Sequence, residues 1–337
     1  MRINTSLPIM CYQMYAYPLS IILTKKEAYN WYVSNFINYK MLLHANYDGT
    51  LIMDLKYIMP RYDDCRDFCE WTISHQVFVD CMIDQLLYFI KRYIDQNVCV
   101  SFFVDEFYIP DRIRYQKQHN VHQLLVTGYY TGDNTIKIVG YNRNRKFDFS
   151  IIPLTALKQG IIECNIIHLL SDDVHMYRMR EPCGTYEIDL AQIKKEFYEY
   201  LHSENTYCPE VALKYKDYNF TFGLACYDHI SALMRDANCV SQNYPMFYMI
   251  YEHKKSIGQR LCYLQEQLGI DFESEIGTYS TLTTETHRLM KLFSKRMFYA
   301  MNSSHIKTVS NQMADIMERI TDMEGEAVTR LLEKINA

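Results

Sequence analysis

The chain predicts an α+β fold: helices first, an antiparallel sheet next, then a helical second half. Three observations carry this. Short β-branched and aromatic runs of strand length cluster between residues 98 and 152. Helix-period apolar spacing precedes them and returns from residue 190 onward. The length of 337 residues, with 49% apolar and 22% charged side chains, suits two ordinary domains or one large one with a sizeable core.

Cys11 to Leu23 reads as a helix that Pro18 bends or interrupts. Glu27 to Leu43 is aromatic-rich and reads as helical. Cys81 to Asp95 has helical spacing through Leu86, Phe89, Ile90 and Tyr93. Val98 to Val104 is a buried strand, ending at Asp105-Glu106 and a loop with Pro110. Val121 to Asn142 is a β-hairpin around a Thr-Gly-Asp-Asn turn. Lys146 to Ile152 alternates as a third strand. Beyond it, Leu190 to His202 and Leu224 to Ala237 are helices, and Pro245 and Gly269 punctuate the start and end of another. Thr281 to Asn302 and Ser304 to Ile335 are long and amphipathic, as in a helical bundle or hairpin. Pro182 and Gly184 place a boundary within Asp172 to Asp189, giving a first domain of residues 1–175 and a helical domain of residues 176–337.

Composition narrows the function. A net charge of −5 argues against sequence-independent nucleic-acid binding, which needs a basic surface. The first residues lack a basic stretch followed by a long apolar run, and no apolar window approaches about eighteen residues. Neither a signal peptide nor a membrane span is expected. Eleven cysteines, an odd number without paired spacing, are expected as reduced thiols in the cytoplasm rather than as a disulfide framework. A glycine-rich phosphate loop, a Gly-x-Ser-x-Gly elbow and a His-Glu-x-x-His pair are all missing, so no nucleotide, NAD or zinc cofactor is expected.

The hairpin carries the chemistry. His122 opens its first strand, and burying an imidazole there is costly without a partner. It is either a general base of fixed tautomer or a hydrogen-bonded core histidine. Cys11 precedes a helix, where the macrodipole and a nearby imidazolium favour thiolate; the plain alternative is a small buried hydrophobe. Cysteine first, histidine far downstream and an amide soon after is the chain order of papain-like enzymes. The orienter of the imidazole depends on register. If Tyr129 pairs with Thr135 across a five-residue turn, His122 faces Asn142. If Tyr130 pairs with Thr135 across a four-residue turn, it faces Arg143. A cation suits a general base poorly, so the first register and Asn142 are preferred, with Asp148 in reserve and Asp133 too far away. Asn142 also reads as a strand-ending turn residue. His119 is the weaker histidine, and the His119/His122 pair lacks a matching third metal ligand; the Cys65/Cys69 spacing is one zinc seldom uses. Asp105 and Glu106 can orient Arg112 or Arg114, contact an amine substrate, or simply form an ion-paired loop edge. Trp31, Tyr32, Phe107 and Tyr108 can line a pocket or belong to the core.

Five blocks together suggest a family. They are Leu7-Pro8-Ile9-Met10-Cys11, Trp31 through Asn35-Phe36-Ile37, Asp105-Glu106-Phe107-Tyr108-Ile109-Pro110-x-Arg112, Tyr115-x-x-x-His119-x-x-His122, and Gly128-Tyr129. Over roughly its first half the chain resembles the N-terminal domain of the butirosin-biosynthesis acyltransferase family. The resemblance implies a papain-like fold for that half, and the helical half is then expected to cover the cleft, dock a carrier protein or mediate oligomerisation. It also implies acyl transfer to an amine from the phosphopantetheine thioester of an acyl or peptidyl carrier protein, in nonribosomal peptide-type antibiotic biosynthesis. The acceptor would be a small amine or diamine, and neither membrane nor nucleic acid would take part. Cys11 would be the nucleophile, His122 the base and Asn142 the orienter. Asp105, Glu106, Arg112, His119 and Trp31 would be candidates for substrate contact. The chain departs from the pattern in one place: the papain-type oxyanion glutamine upstream of the cysteine is missing, and Gln13 is set aside because it follows Cys11. Many family members lack a cysteine at this position. Two rival expectations remain, a cysteine hydrolase (peptidase or thioesterase) using the same residues, and a non-catalytic binding or scaffold protein of the same fold.

Overall fold

A computed structural model describes residues 3–45, 51–58, 62–164, 173–206, 220–235, 244–298 and 303–336. In chain order its first elements are α1 (Gln13–Ile22), α2 (Tyr29–Val33), β1 (Tyr39–Ala45), β2 (Leu51–Tyr57), β3 (Phe68–Ser74), α3 (His75–Met82), α4 (Leu86–Ile94) and β4 (Cys99–Asp105). Then come β5 (Val121–Tyr130), β6 (Thr135–Tyr141), β7 (Phe147–Pro153), α5 (Leu154–Glu163), β8 (Asp173–Met179) and α6 (Leu190–His202). The last are β9 (Phe220–Phe222), α7 (Ala225–Arg235), α8 (Tyr244–Leu268), α9 (Glu273–Phe298) and α10 (Ser303–Asn336). The mixture is α+β, and no described helix is long and apolar enough to cross a membrane.

The chain divides into two compact units, Met1–Tyr29 with Arg61–Tyr186, and Asn30–Pro60 with Glu187–Ala337. The sequence placed a single boundary within Asp172 to Asp189, and one division, after Tyr186, falls in that stretch. The units are nevertheless interleaved, because residues 30–60 go with the helical half.

The first unit is built on a six-stranded antiparallel sheet in the order β3-β8-β4-β5-β6-β7. The expected buried strand, hairpin and third strand are β4, β5–β6 and β7. Phe78 of α3 and Phe89 of α4 lie 4.8 Å apart, and Phe78 is 5.2 Å from Phe102 of β4. Burying one such ring contributes about 2–3 kcal/mol. Helix α1 starts after Tyr12, whose extended backbone carbonyl accepts from the N–H groups of Tyr15 and Ala16. Pro18 sits inside α1 without breaking it. Its missing N–H leaves the carbonyl of Met14 without its helical donor, and the Tyr62 hydroxyl donates there instead at 3.0 Å. Tyr17 fastens α1 to the sheet by donating to the Gln123 carbonyl at 2.8 Å.

The second unit holds a three-stranded antiparallel sheet, β2-β1-β9, and helices α6 to α10. The helix expected over Glu27 to Leu43 is confined to α2, and residues 39–45 form β1. Phe36 takes the left-handed conformation at φ 62°, which carries the chain out of helical geometry. Pairing with β2 and β9 then supplies backbone partners that a helix would have satisfied internally. Gly269 ends α8 at φ 70°, as its position predicts, with its N–H on the Gln265 carbonyl. At the centre Lys254 of α8 meets Glu324 of α10 at 2.5 Å, both fully buried. Tyr200 donates to Glu324 at 2.9 Å and Tyr279 at 3.1 Å.

Candidate active site

The site gathers where β4 ends and β5 begins. Val104 pairs with His122 and Asp105 with Val121. Residues two apart share a face of a strand, so the position after Asp105 continues the row that meets His122. That residue is Glu106, in a short 3₁₀ turn, and its carboxylate accepts from His122 Nδ1 at 2.8 Å. Its other oxygen accepts from the Asn120 side-chain amide at 3.1 Å. Burial pushes the Glu106 carboxyl up, but the hydrogen bond from His122 and the charges of His122 and Arg112 outweigh it and hold it below the usual carboxylate range. Glu106 is therefore ionised at neutral pH, and His122 donates from Nδ1, which leaves Nε2 as the acceptor nitrogen.

Next to this pair stands a second one. Asp105 accepts from His119 Nδ1 at 2.5 Å, while its other oxygen accepts from the backbone N–H groups of Phe107 and Asn120, each at 3.0 Å. Here too burial pushes the carboxyl up, and the hydrogen bonds of His119, Phe107 and Asn120 bring it below its ordinary value. The His119 ring stacks on Phe107 at 4.4 Å. Asn120 thus grips both carboxylates, one with its backbone and one with its side chain.

The segment around Cys11 is tied to the same strands on both sides. The Met10 carbonyl accepts from the Tyr141 hydroxyl of β6 at 2.8 Å. The Gln13 side-chain amide lies against His122, contacting both ring nitrogens, at 3.1 Å from Nδ1. Cys11 sits between these two anchors, half-buried, immediately before the residue that caps α1. Arg112 is buried and donates to the Tyr141 carbonyl at 2.6 Å. Gly140 lets the guanidinium lie on β6: a Cβ there would come within 2.9 Å of Arg112 Nη2 and 3.0 Å of the Tyr17 hydroxyl.

Two assignments change. Asn142 does not hold His122. Its side-chain oxygen accepts from the N–H groups of Asn144 and Lys146 at 2.9 and 3.1 Å, closing the β6–β7 turn. The register is split. At the turn Tyr130 pairs with Thr135, the four-residue alternative, but a bulge at Thr127 shifts the pairing by one, so that Val126 faces Ile138 and Leu125 faces Val139, which is the preferred register on the His122 side. The group that does hold His122, Glu106, follows β4, the other neighbour of β5. Asp148 and Asp133 are exposed and elsewhere. Trp31 belongs to the second unit, where it is buried against Phe36 at 5.9 Å. Arg114 is bound by Gln118 rather than by Asp105 or Glu106.

The structure thus brings together Glu106, His122, Asp105, His119 and Arg112, and ties the segment that carries Cys11 to them through Met10 and Gln13. The sequence reading missed Asn120 and dismissed Gln13. A residue two places after a cysteine at the start of a helix is within reach of whatever the cysteine faces, which was the available signal for Gln13. Among the described residues, no three His, Cys, Asp or Glu side chains converge to hold a metal ion. No protein-family model matches the chain, and no curated protein matches it either.

Proposed function

We propose that the first unit is a papain-like cysteine acyltransferase that moves an acyl group from a thioester to an amine. The observation that carries this reading is the hydrogen bond from His122 Nδ1 to Glu106, which leaves Nε2 as the basic nitrogen, beside a chain segment that holds Cys11. Glu106 is a positioning residue in the role assigned by sequence to Asn142.

His122 Nε2 takes the Cys11 proton, and the thiolate attacks the thioester carbonyl carbon. The tetrahedral intermediate collapses, the carrier thiol leaves with the proton from His122, and the acyl group stays on Cys11. The Gln13 side-chain amide, which lies against His122 Nε2, turns from that nitrogen as Cys11 approaches it, and its N–H groups then donate to the developing oxyanion, a task worth roughly 3–4 kcal/mol where such a donor has been removed. An amine then displaces Cys11, with His122 again taking the proton. Thioester to thioester is nearly isoenergetic and aminolysis runs downhill, so no ATP is required.

The test is incubation with a phosphopantetheinyl acyl thioester, with and without a diamine, followed by mass spectrometry of intact protein and products. The expected result is an acyl adduct on Cys11 and an amide formed only with amine. Cys11→Ala and His122→Ala should each abolish both products while leaving the folded signal intact. Free acid as the sole product in the presence of amine would assign a hydrolase. Full activity in Cys11→Ala would overturn the nucleophile.

A further inference from the structure

We infer that His119, held by Asp105, is a second base that serves the amine acceptor, an inference resting on the acyl transfer proposed above. The reasoning begins with protons. An aliphatic amine reaches neutral solution as an ammonium ion and must lose one proton before it has a lone pair to attack with. It loses another as the amide forms. His122 handles the second, because in the proposed transfer it is the group that exchanges the Cys11 proton. The first needs a base that is open to the arriving amine and is not already committed to Cys11.

His119 meets those conditions. Its side chain is two-thirds exposed (66%), whereas the Asp105 carboxylate that holds it is buried (5%). An exposed ion pair of two mobile side chains contributes little. This one differs, because Asp105 is locked by two backbone N–H groups and the ring is braced on Phe107. The bond at Nδ1 fixes the tautomer and leaves Nε2 as the acceptor. The position is also suitable. Asp105 and Glu106 are consecutive, and Asn120 bonds both, so the two imidazoles hang from one clamp. They are three positions apart, at most about 10 Å along the backbone, a span a small amine and its acyl partner can bridge.

The step balances. His119 Nε2 takes a proton from R–NH3+, giving R–NH2 and an imidazolium that returns its proton to solvent. The amine lone pair attacks the acyl carbon on Cys11, the carbon–sulfur bond breaks, and the N–H proton passes through His122 to the Cys11 sulfur. Water as acceptor needs no such first deprotonation, so His119 favours amines over hydrolysis.

The experiment compares His119→Gln with the unaltered protein using two acceptors, an alkyl diamine, protonated at neutral pH, and methoxyamine, which is not. Acylation is read as the burst of thiol released from the donor, and aminolysis as amide formed per turnover. The expected result is a burst that is kept, a loss of about 10- to 100-fold with the diamine, and a loss of less than about 3-fold with methoxyamine. Asp105→Asn should repeat the pattern, and His119→Gln, altering an exposed ring, keeps the test sound if the Asp105 variant unfolds. Equal losses with both amines, or no loss with the diamine, would overturn the role of His119 alone. Absence of any burst in the unaltered protein would remove the acyl-transfer reading together with it.

Discussion

The two units each set a basic side chain against a glutamate, and the settings are opposite. His122 and Glu106 meet at 2.8 Å with the imidazole 35% exposed. Lys254 and Glu324 meet at 2.5 Å with neither exposed at all. Around Lys254 every neighbour is protein: Glu324, the hydroxyls of Tyr200 and Tyr227, and His253 Nδ1 at 3.1 Å. Around His122 one ring nitrogen is tied to a carboxylate and the ring still reaches solvent. A group that must trade protons with a substrate needs such an opening. A fully enclosed network instead penalises any arrangement that leaves a member unpaired, which makes it a device for packing helices in one way. The buried centre holds its members in unusual states. Burial pushes the Lys254 ammonium down to about 8, with the Glu324 charge opposing the fall. His253 is driven well below its ordinary value, first by burial and then by the Lys254 charge.

If this contrast is right, Glu106→Gln should separate activity from stability most sharply. The amide keeps the shape but no longer demands a proton on His122 Nδ1, so the wrong tautomer becomes accessible. Acylation of Cys11, followed by thiol release, should fall roughly 10²- to 10⁴-fold, with the folded structure retained. A loss below about 5-fold would mean that Glu106 shapes a surface ion pair rather than the base, since an exposed pair of that kind is worth under about 1 kcal/mol.

Lys254→Met should do the reverse, costing about 3–5 kcal/mol of stability because it strands a buried carboxylate. Replacing Glu324 by Gln in the same chain should recover much of that loss. The pH profile sharpens the assignment. The unfolded chain keeps the lysine proton up to about 10.5, whereas the folded chain releases it near 8. The unfolded state then binds more protons between these values, and stability rises with pH. Tyr39, Tyr200 and Tyr279 have their hydroxyls pushed well above 10, mainly by burial and the Glu324 charge, so above pH 10 the unfolded chain loses protons that the folded one keeps, and stability falls. Below about 6.5 the unfolded chain protonates a histidine that folded His253 refuses, and stability falls again. Chemical denaturation across pH should therefore show the rise above pH 8 in the unaltered chain and not in Lys254→Met. The same rise in the variant would remove Lys254 from the account.

Much of this was legible before any coordinates. The β4 run and the β5–β6 hairpin have the alternation and turn chemistry that backbone pairing requires, and they formed where expected. So did the amphipathic helices from Leu190 onward, except that the one expected over Thr281 to Asn302 begins earlier, at Glu273, and its expected last residues, 299–302, lie outside the described residues. What local pattern does not encode is partnership between distant segments. Residues 39–43 read as helix because their strand partners lie at 51–57 and 220–222. The same blindness touched the site. His122 was recognised from its own strand, and Asp105-Glu106 was noticed as a carboxylate pair, but joining them needs the β4–β5 register. On the other edge of β5, the bulge at Thr127 shifts the β5–β6 pairing midway through the hairpin, and no residue type there announces it. The buried Lys254–Glu324 pair was invisible for a similar reason, since its members are 70 residues apart on two long helices.

The smallest expected effect bears directly on that register. Were Asn142 the orienter, Asn142→Ala would slow the reaction by freeing the imidazole. The hydrogen bonds give it a different job: its side-chain oxygen takes two backbone N–H groups, those of Asn144 and Lys146, and its own N–H meets the Lys146 carbonyl. Such a residue stabilises a turn as a capping side chain stabilises a helix end, by satisfying donors the backbone cannot. Alanine should therefore cost about 1 kcal/mol of stability in the first unit and leave the rate of Cys11 acylation unchanged. Because β7 is an edge strand among the described residues, joined there to the sheet through β6, loosening this turn should register in amide exchange of β6 and β7 before it registers at β4. A rate loss comparable to that of Glu106→Gln, with β7 protection intact, would return the orienting role to Asn142.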